Sequence, residues 1–218
     1  MTVEPTKNPF VVGLDLGQQN DYTAVALLER VDHYLGQSHW DYSHRVRSGL
    51  AVRFLERFPL GISYAKIAER IRDLINSPLL QERSRLVIDA TGVGAPVVDM
   101  LRGMQLRATI VPGVITGGDT VSNENGRHRV PKKDLVASVS VLLQQEILQL
   151  PSKLPLAETL VDEMLNFRIR INLEGAMTFE AWRTRDHDDL VLAVALACWQ
   201  AQRLWPHLIV PGDHAYFV

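Results

Sequence analysis

FVVGLDLGQQNDYTAVALLE, residues 10–29, reads as an apolar strand over 10–16, a polar turn over 17–20 and a second strand over 22–29. The second strand alternates, with Tyr22, Ala24, Ala26 and Leu28 on one face, which is the period of a strand. So short a turn joins neighbouring strands, and the two are expected to pair as an antiparallel hairpin. Asp15 stands inside the first strand among Val11, Val12, Leu14 and Leu16. A lone buried charge is very costly, so this carboxylate is paired, protonated or bound to a cation, unless it sits at the strand end and caps the turn.

Composition bounds the rest. The chain has 218 residues, 46% of them apolar and 22% charged, as in an ordinary globular protein with one large domain. A net charge of -2 supplies no global field for nucleic acid, so any such contact must be local. The single cysteine, Cys198, excludes an internal disulfide and a cysteine-based zinc cluster. The N-terminus MTVEPTKNPF lacks the apolar core of a signal peptide, and no apolar run has the length of a membrane span. The expected setting is a reducing cytoplasm, with no membrane partner.

From the hairpin onward, residues 31–59 read as one or two further strands, with Val52, Phe54, Glu56 and Phe58 in alternation. Ser63 is placed to cap a helix carrying Ile67, Ile71, Leu74 and Ile75, which Pro78 closes. RLVID, residues 85–89, is a short strand running through ATGVGAP into the helix VVDMLRGM. Strand, glycine turn, helix is an α/β unit, and Asp89 stands at the strand end, where open α/β sheets place ligands. Gly92 and Gly94 fit a structural turn better than a phosphate cradle, because no Walker A spacing surrounds them. Residues 107–111 read as a strand, 116–131 as a long polar loop and 132–147 as a helix. A modest helix over 155–165 and a hairpin from 167–172 and 177–183 follow.

Two charged clusters stand out. Arg127, His128, Arg129, Lys132 and Lys133 form the densest positive run. Cations at a helix start oppose its dipole, and a phosphate partner would relieve that conflict. Arg127, Arg129, Lys132 and Lys133 are therefore expected to contact DNA. The second cluster is RDHDDLVLAVALACWQAQ, residues 185–202. Acids at a helix start ordinarily cap it and complement its dipole. Here they lead into a helix with small residues at Ala193, Ala195 and Ala197, which allow it to lie close to a sheet and bring the acids to the strand ends.

One aspartate in a first strand, one ending an α/β strand and one starting the last helix are a cation-binding set. Adjacent parallel strands lie about 4.8 Å apart, so Asp15 and Asp89 could share an ion. Mg²⁺ takes oxygen ligands, often only one or two carboxylates besides water and phosphate. Two ions roughly 3.5–4 Å apart can activate water and stabilise a leaving oxygen, and phosphodiester hydrolysis is the natural reaction.

In that order, VGLDLGQQNDYTAV, LVIDATGVGAPVVDML and HDDLVLAVALA resemble the nuclease domain of tailed-phage terminase large subunits, a branch of the ribonuclease H-like superfamily. The resemblance runs from about Phe10 to Trp199 and includes PKKDLVASVSVLLQQ. It implies an α/β fold with a mixed central sheet flanked by helices, three antiparallel strands first and parallel strands after. It implies endonucleolytic cutting of double-stranded DNA with Mg²⁺ or Mn²⁺ at a two-metal site. It also implies three partners: a packaging ATPase domain or chain, a small terminase subunit and a portal.

Carried onto this chain, the metal-binding acids are Asp15, Asp89 and one of Asp188 or Asp189. Asp189 is preferred because it stands four residues before Ala193, on one helical face. Asp21 and His187 are supporting candidates. Leu192 occupies a place where the family often has a further acid, and no Walker A motor sequence is present. The expected division is a lead over 1–9, a nuclease domain over 10–205 and a tail over 206–218. Two rival readings are an actin-like ATPase or sugar-kinase-type phosphotransferase, whose phosphate loop also reads DLG after a strand, and a non-catalytic DNA-binding packaging module.

Overall fold

The computed structural model describes residues 8–17, 21–37, 44–118, 120–124, 126–166 and 188–209. The strands are Phe10–Asp15 (β1), Ala24–Gln37 (β2), His44–Arg57 (β3), Ser84–Asp89 (β4), Thr109–Thr116 (β5), Ser122–Glu124 (β6), Arg127–Pro131 (β7) and Leu148–Gln149 (β8). The helices are Tyr64–Ile75 (α1), Gly94–Gly103 (α2), Lys132–Gln144 (α3), Ala157–Asn166 (α4) and Asp189–Leu204 (α5). One eight-stranded sheet runs in the order β6-β7-β5-β4-β1-β2-β3-β8. The strands β1, β2 and β3 pair antiparallel, while β4 lies parallel to β1, β5 to β4 and β7 to β5. This is the mixed sheet expected from the sequence.

Both sheet faces are covered, which explains the nearly continuous apolar character of β1 and β4. On one face Val12, Leu14, Leu86 and Ile88 pack with Ile67 and Ile71 of α1 and Val97 and Leu101 of α2. Ser63 starts α1, its Oγ accepting from the Lys66 N–H at 3.4 Å. On the other face Val11, Ala24, Ala26 and Val87 pack with α3, α4 and α5. Helix α5 is buried on every side from Asp189 to Ala201, as expected of a helix apolar all round.

The contact that seats α5 is backbone against backbone. A Cβ added at Gly13 would stand 1.9 Å from the Ala193 carbonyl oxygen and 3.0 Å from the Ala197 nitrogen. The small residues of α5 thus meet β1 at its only glycine, and the helix lies directly on the central strand.

Several boundaries differ from the sequence reading. The second strand runs on to Gln37, and Val25 and Leu27 are buried on its other face, so it is not half-exposed. The strand read over 107–111 begins at Thr109 and continues to Thr116. The polar stretch 116–131 is not a loop throughout: β6 and β7 pair antiparallel within it, and β7 adds to β5. Backbone pairing with β6 and β5 makes β7 the second strand from the sheet edge, and only Val130 and Pro131 of it are buried, so no apolar pattern announced it. The hairpin read over 167–172 and 177–183 lies outside the described residues. Past residue 205 a 3-10 turn, Pro206–Ile209, keeps Leu208 buried. Among the described residues no helix is long and apolar enough to cross a membrane.

Replacing Gly13 by Ala forces β1 and α5 apart. Overpacking of this kind costs about 1–3 kcal/mol, and Tm should fall by roughly 2–4 °C per kcal/mol for a chain of this size. An unchanged thermal melt for Gly13→Ala would show that α5 does not rest on β1.

Candidate metal centre

Asp15 and Asp89 end the two central parallel strands. The register Leu14↔Ile88 brings them level. Side chains alternate along a strand: Val11 and Val87 belong to the α5 face, while Val12, Leu14, Leu86 and Ile88 belong to the opposite one. Asp15 and Asp89 therefore project on the α5 side. Four helical residues, about 6 Å, separate Ala193 from the start of α5 at Asp189, and two strand residues, roughly 6.6 Å, separate Gly13 from Asp15. The seating of Ala193 on Gly13 thus delivers Asp188 and Asp189 to the same edge. Strand β7 ends at this edge too, and Lys132 follows it.

The acids stand within electrostatic reach of one another. Asp15 is buried at 7% exposure. Burial, then the charges of Asp89, Asp188 and Asp189 in that order, push its carboxyl well above the usual carboxylate range, against a smaller pull from Lys132. Burial also raises Asp188, opposed by the charge and hydrogen bond of Lys132, with Asp21 raising it slightly. Lys132 Nζ donates to Asp188 Oδ2 at 3.4 Å.

The two adjacent aspartates have different surroundings. Asp188 occupies the N-cap position of α5 but makes no side-chain cap bond. The cap comes from α4 instead: Glu163 Oε2 accepts from the Leu190 N–H at 3.0 Å and the Val191 N–H at 3.1 Å. These are the two donors an N-cap side chain would serve. Glu163 also pairs with Arg57 at the end of β3, and Arg57 reaches Asp189 Oδ2 at 3.7 Å. The guanidinium carbon lies 4.9 Å from the Tyr22 ring centroid. Asp189 is thus drawn into a buried pairing with Arg57, while Asp188 faces Lys132 and acts more strongly on Asp15.

At β4, Asp89 Oδ1 accepts from the Thr91 N–H at 2.9 Å and from the Thr91 hydroxyl at 2.6 Å. The turn behind it is tight, since a Cβ on Gly94 would stand 1.9 Å from the Asp89 carbonyl oxygen. Among the described residues no three His, Cys, Asp or Glu side chains are already drawn together as a metal cage. Asp188 and Asp189 are instead drawn toward Lys132 and Arg57. All four acids offer only oxygen donors, and their mutual repulsion is what a divalent cation would remove.

The remaining candidates divide. Asp21 is exposed but within electrostatic reach of Asp188, whereas His187 lies outside the described residues. The positive run does not form one patch. In β7, Val130 joins the α5-side core and His128 stacks edge-on against Trp199 of α5, 5.4 Å between centroids. Arg127 and Arg129 alternate with them onto the other face, both exposed, while Lys132 turns to the acids. Sequence reasoning missed Arg57, Glu163 and Thr91. Glu163 lies 27 residues from the helix it caps, a contact no local spacing reveals. The motif DAT did carry a signal for Thr91, since aspartate commonly binds its own backbone two residues on.

No protein-family model matches the sequence, and no curated protein matches it significantly. Solved structures do resemble it. The nuclease domain of the large terminase subunit of bacterial virus Sf6, in a variant with manganese and beta-thujaplicinol, aligns with a TM-score of 0.59 at 13% identity, covering 88% of each chain. The large terminase nuclease of a thermophilic phage with bound zinc aligns at 0.51 and 22% identity, over 86% of this chain and 78% of that one. The human cytomegalovirus terminase nuclease domain, soaked with manganese, aligns at 0.50 and 17% identity, over 89% and 83%. The fold of this chain is that of terminase nuclease domains, the ribonuclease H-like fold expected from the sequence.

The raised Asp15 carboxyl gives a signed pH dependence. Its folded-state pKa lies above the unfolded value, so the native protein holds this proton longer. The stabilisation is complete below the ordinary carboxylate pKa and is lost as pH rises through the raised folded value. Metal-free protein should therefore melt lower at pH 8 than at pH 5, and Asp15→Asn should show a smaller drop. Equal drops in both proteins would show that Asp15 carries no such strain.

Proposed function

We propose that this chain is a divalent-metal-dependent endonuclease acting on double-stranded DNA, the nuclease part of a terminase-type packaging machinery. The observation that carries the reading is the buried Asp15, with Asp89 level on the parallel strand and Asp188 delivered beside them by α5. The manganese and zinc named with the similar structures agree with such a donor set.

Asp15, Asp89 and Asp188 would hold Mg²⁺ or Mn²⁺, and a two-metal arrangement suits their number. When bound there, the cation supplies activation of the attacking water and stabilisation of the leaving oxygen. Asp188 takes precedence over Asp189 because Arg57, itself paired with Glu163, reaches the latter. Asp189 then serves as a reserve ligand and Asp21 as a distant contributor to the local field. Lys132, hydrogen-bonded to Asp188, balances the acid charge and can meet a phosphate entering the site. Arg127, Arg129 and Lys133 would hold the DNA backbone farther along, the two arginines from the other sheet face. With no base-reading element, such binding is to phosphate and weakens with salt.

Residues 10–205 would form the nuclease domain, with 1–9 a lead and 206–218 a tail that begins packed. A packaging ATPase domain or chain, a small terminase subunit and a portal are the partners this reading calls for, in the cytoplasm of a host cell.

Supercoiled plasmid incubated with the protein should be nicked and linearised with Mn²⁺ or Mg²⁺ and left intact in EDTA. Asp15→Asn, Asp89→Asn and Asp188→Asn should each lower cleavage by more than roughly 100-fold, the upper range for losing an outer-shell partner. Cutting in EDTA, or full activity of Asp15→Asn, would defeat the proposal.

A further inference from the structure

We infer that Thr91 is a positioning residue that sets the rotation of the Asp89 carboxylate for cation binding. The inference rests on the metal-dependent nuclease reading. It starts from the Thr91 hydroxyl, which has one hydrogen to give and lone pairs to receive. The Ile115 N–H donates to Thr91 Oγ1 at 3.1 Å, so the hydroxyl hydrogen is left to point elsewhere. It points to Asp89 Oδ1 at 2.6 Å, the short distance typical of a hydroxyl donating to a carboxylate. The Thr91 N–H donates to the same oxygen at 2.9 Å.

Two donors on one oxygen fix how the carboxylate is turned about its Cβ–Cγ bond, and so where its second oxygen lies. Rigid elements anchor both donors. Ile115 belongs to β5, where it pairs with Val130 of β7. The Thr91 carbonyl accepts from the Gly94 N–H at 3.1 Å, at the first turn of α2. The absence of a Cβ at Gly94 lets that turn close onto Asp89. The orientation of Asp89 is thereby tied to β5 and α2 as well as to its own strand. The Asp89 carboxylate accepts two hydrogen bonds from this one neighbouring residue. Serine keeps the hydroxyl. Valine keeps the shape and loses both the donor to Asp89 and the acceptor for Ile115.

The test is Mn²⁺ binding to the whole protein, followed by isothermal titration at a temperature well below every melt. Wild type, Thr91→Ser, Thr91→Val, Thr91→Ala and Asp15→Asn are compared, each with a metal-free melt. Outer-shell hydrogen bonds are worth roughly 10–100-fold in metal affinity. Thr91→Val and Thr91→Ala should bind Mn²⁺ weaker by that factor, Thr91→Ser should stay within about threefold of wild type, and Asp15→Asn should lose binding. In plasmid cleavage the valine variant should need correspondingly more Mn²⁺ for half-maximal rate. If valine does not fold, alanine supplies the same comparison. Variants that melt lower yet bind Mn²⁺ like wild type would reduce Thr91 to a structural turn and overturn the inference, leaving the nuclease reading intact. Absence of Asp15-dependent Mn²⁺ binding in the wild type would overturn both.

Discussion

The site depends on one close approach, that of the Ala193 carbonyl to the bare Cα of Gly13. Helices usually stand off a sheet by the thickness of two side-chain layers. Here the central strand offers no side chain and the helix offers alanines, so α5 lies on β1 backbone to backbone. The separation and the axial position of the helix are both fixed by that contact. Because helix and strand advance by similar lengths over one turn and two residues, the start of α5 arrives beside Asp15. The apolar burial of α5 on all sides then holds it there.

That placement creates a charge conflict, and the fold distributes its answer. Four aspartates stand at the carboxyl edge of the sheet within electrostatic reach of one another, with Asp15 and Asp189 buried. Lys132 approaches Asp188 from α3, and Arg57 approaches Asp189 from β3. Glu163 takes over the capping of α5, which spares Asp188 the task its position would ordinarily give it. A single residue cannot serve both as cap and as ligand with the same oxygen. Moving the cap to another helix leaves the Asp188 carboxylate to Lys132, while Arg57 reaches its neighbour Asp189. Breaking a buried pair of that kind by removing one partner typically costs about 3–5 kcal/mol. The network is therefore part of the core's stability as well as of the geometry of the site.

Much of this was legible in the sequence, for physical reasons. The apolar strand around Asp15, the strand end at Asp89 and the alanine-lined helix after Asp188 and Asp189 are local patterns, and each formed as read. The close packing of Ala193 could also be inferred from residue size alone. What could not be read depends on distant partners. The different surroundings of Asp188 and Asp189 come from Lys132 and Arg57, which lie far away in the chain. The preference for Asp189 follows from its helical face alone, and the Arg57 beside it is not visible from that face's spacing. The strand β7, between β6 and β5, was invisible because backbone pairing, not apolar alternation, creates it. The positive run seemed a single patch along the chain, yet the pleat sends Arg127 and Arg129 one way and Lys132 follows the turn to the acids.

The most direct measurement is a crystal structure with Mn²⁺ located by its anomalous scattering. The account predicts an ion between Asp15 and Asp89 with Asp188 as its third carboxylate, Lys132 drawn off Asp188, and Asp189 still held by Arg57. Manganese bound away from Asp15 and Asp89 would contradict it. So would an ion ligated by Asp189 released from Arg57, with Asp188 still on Lys132.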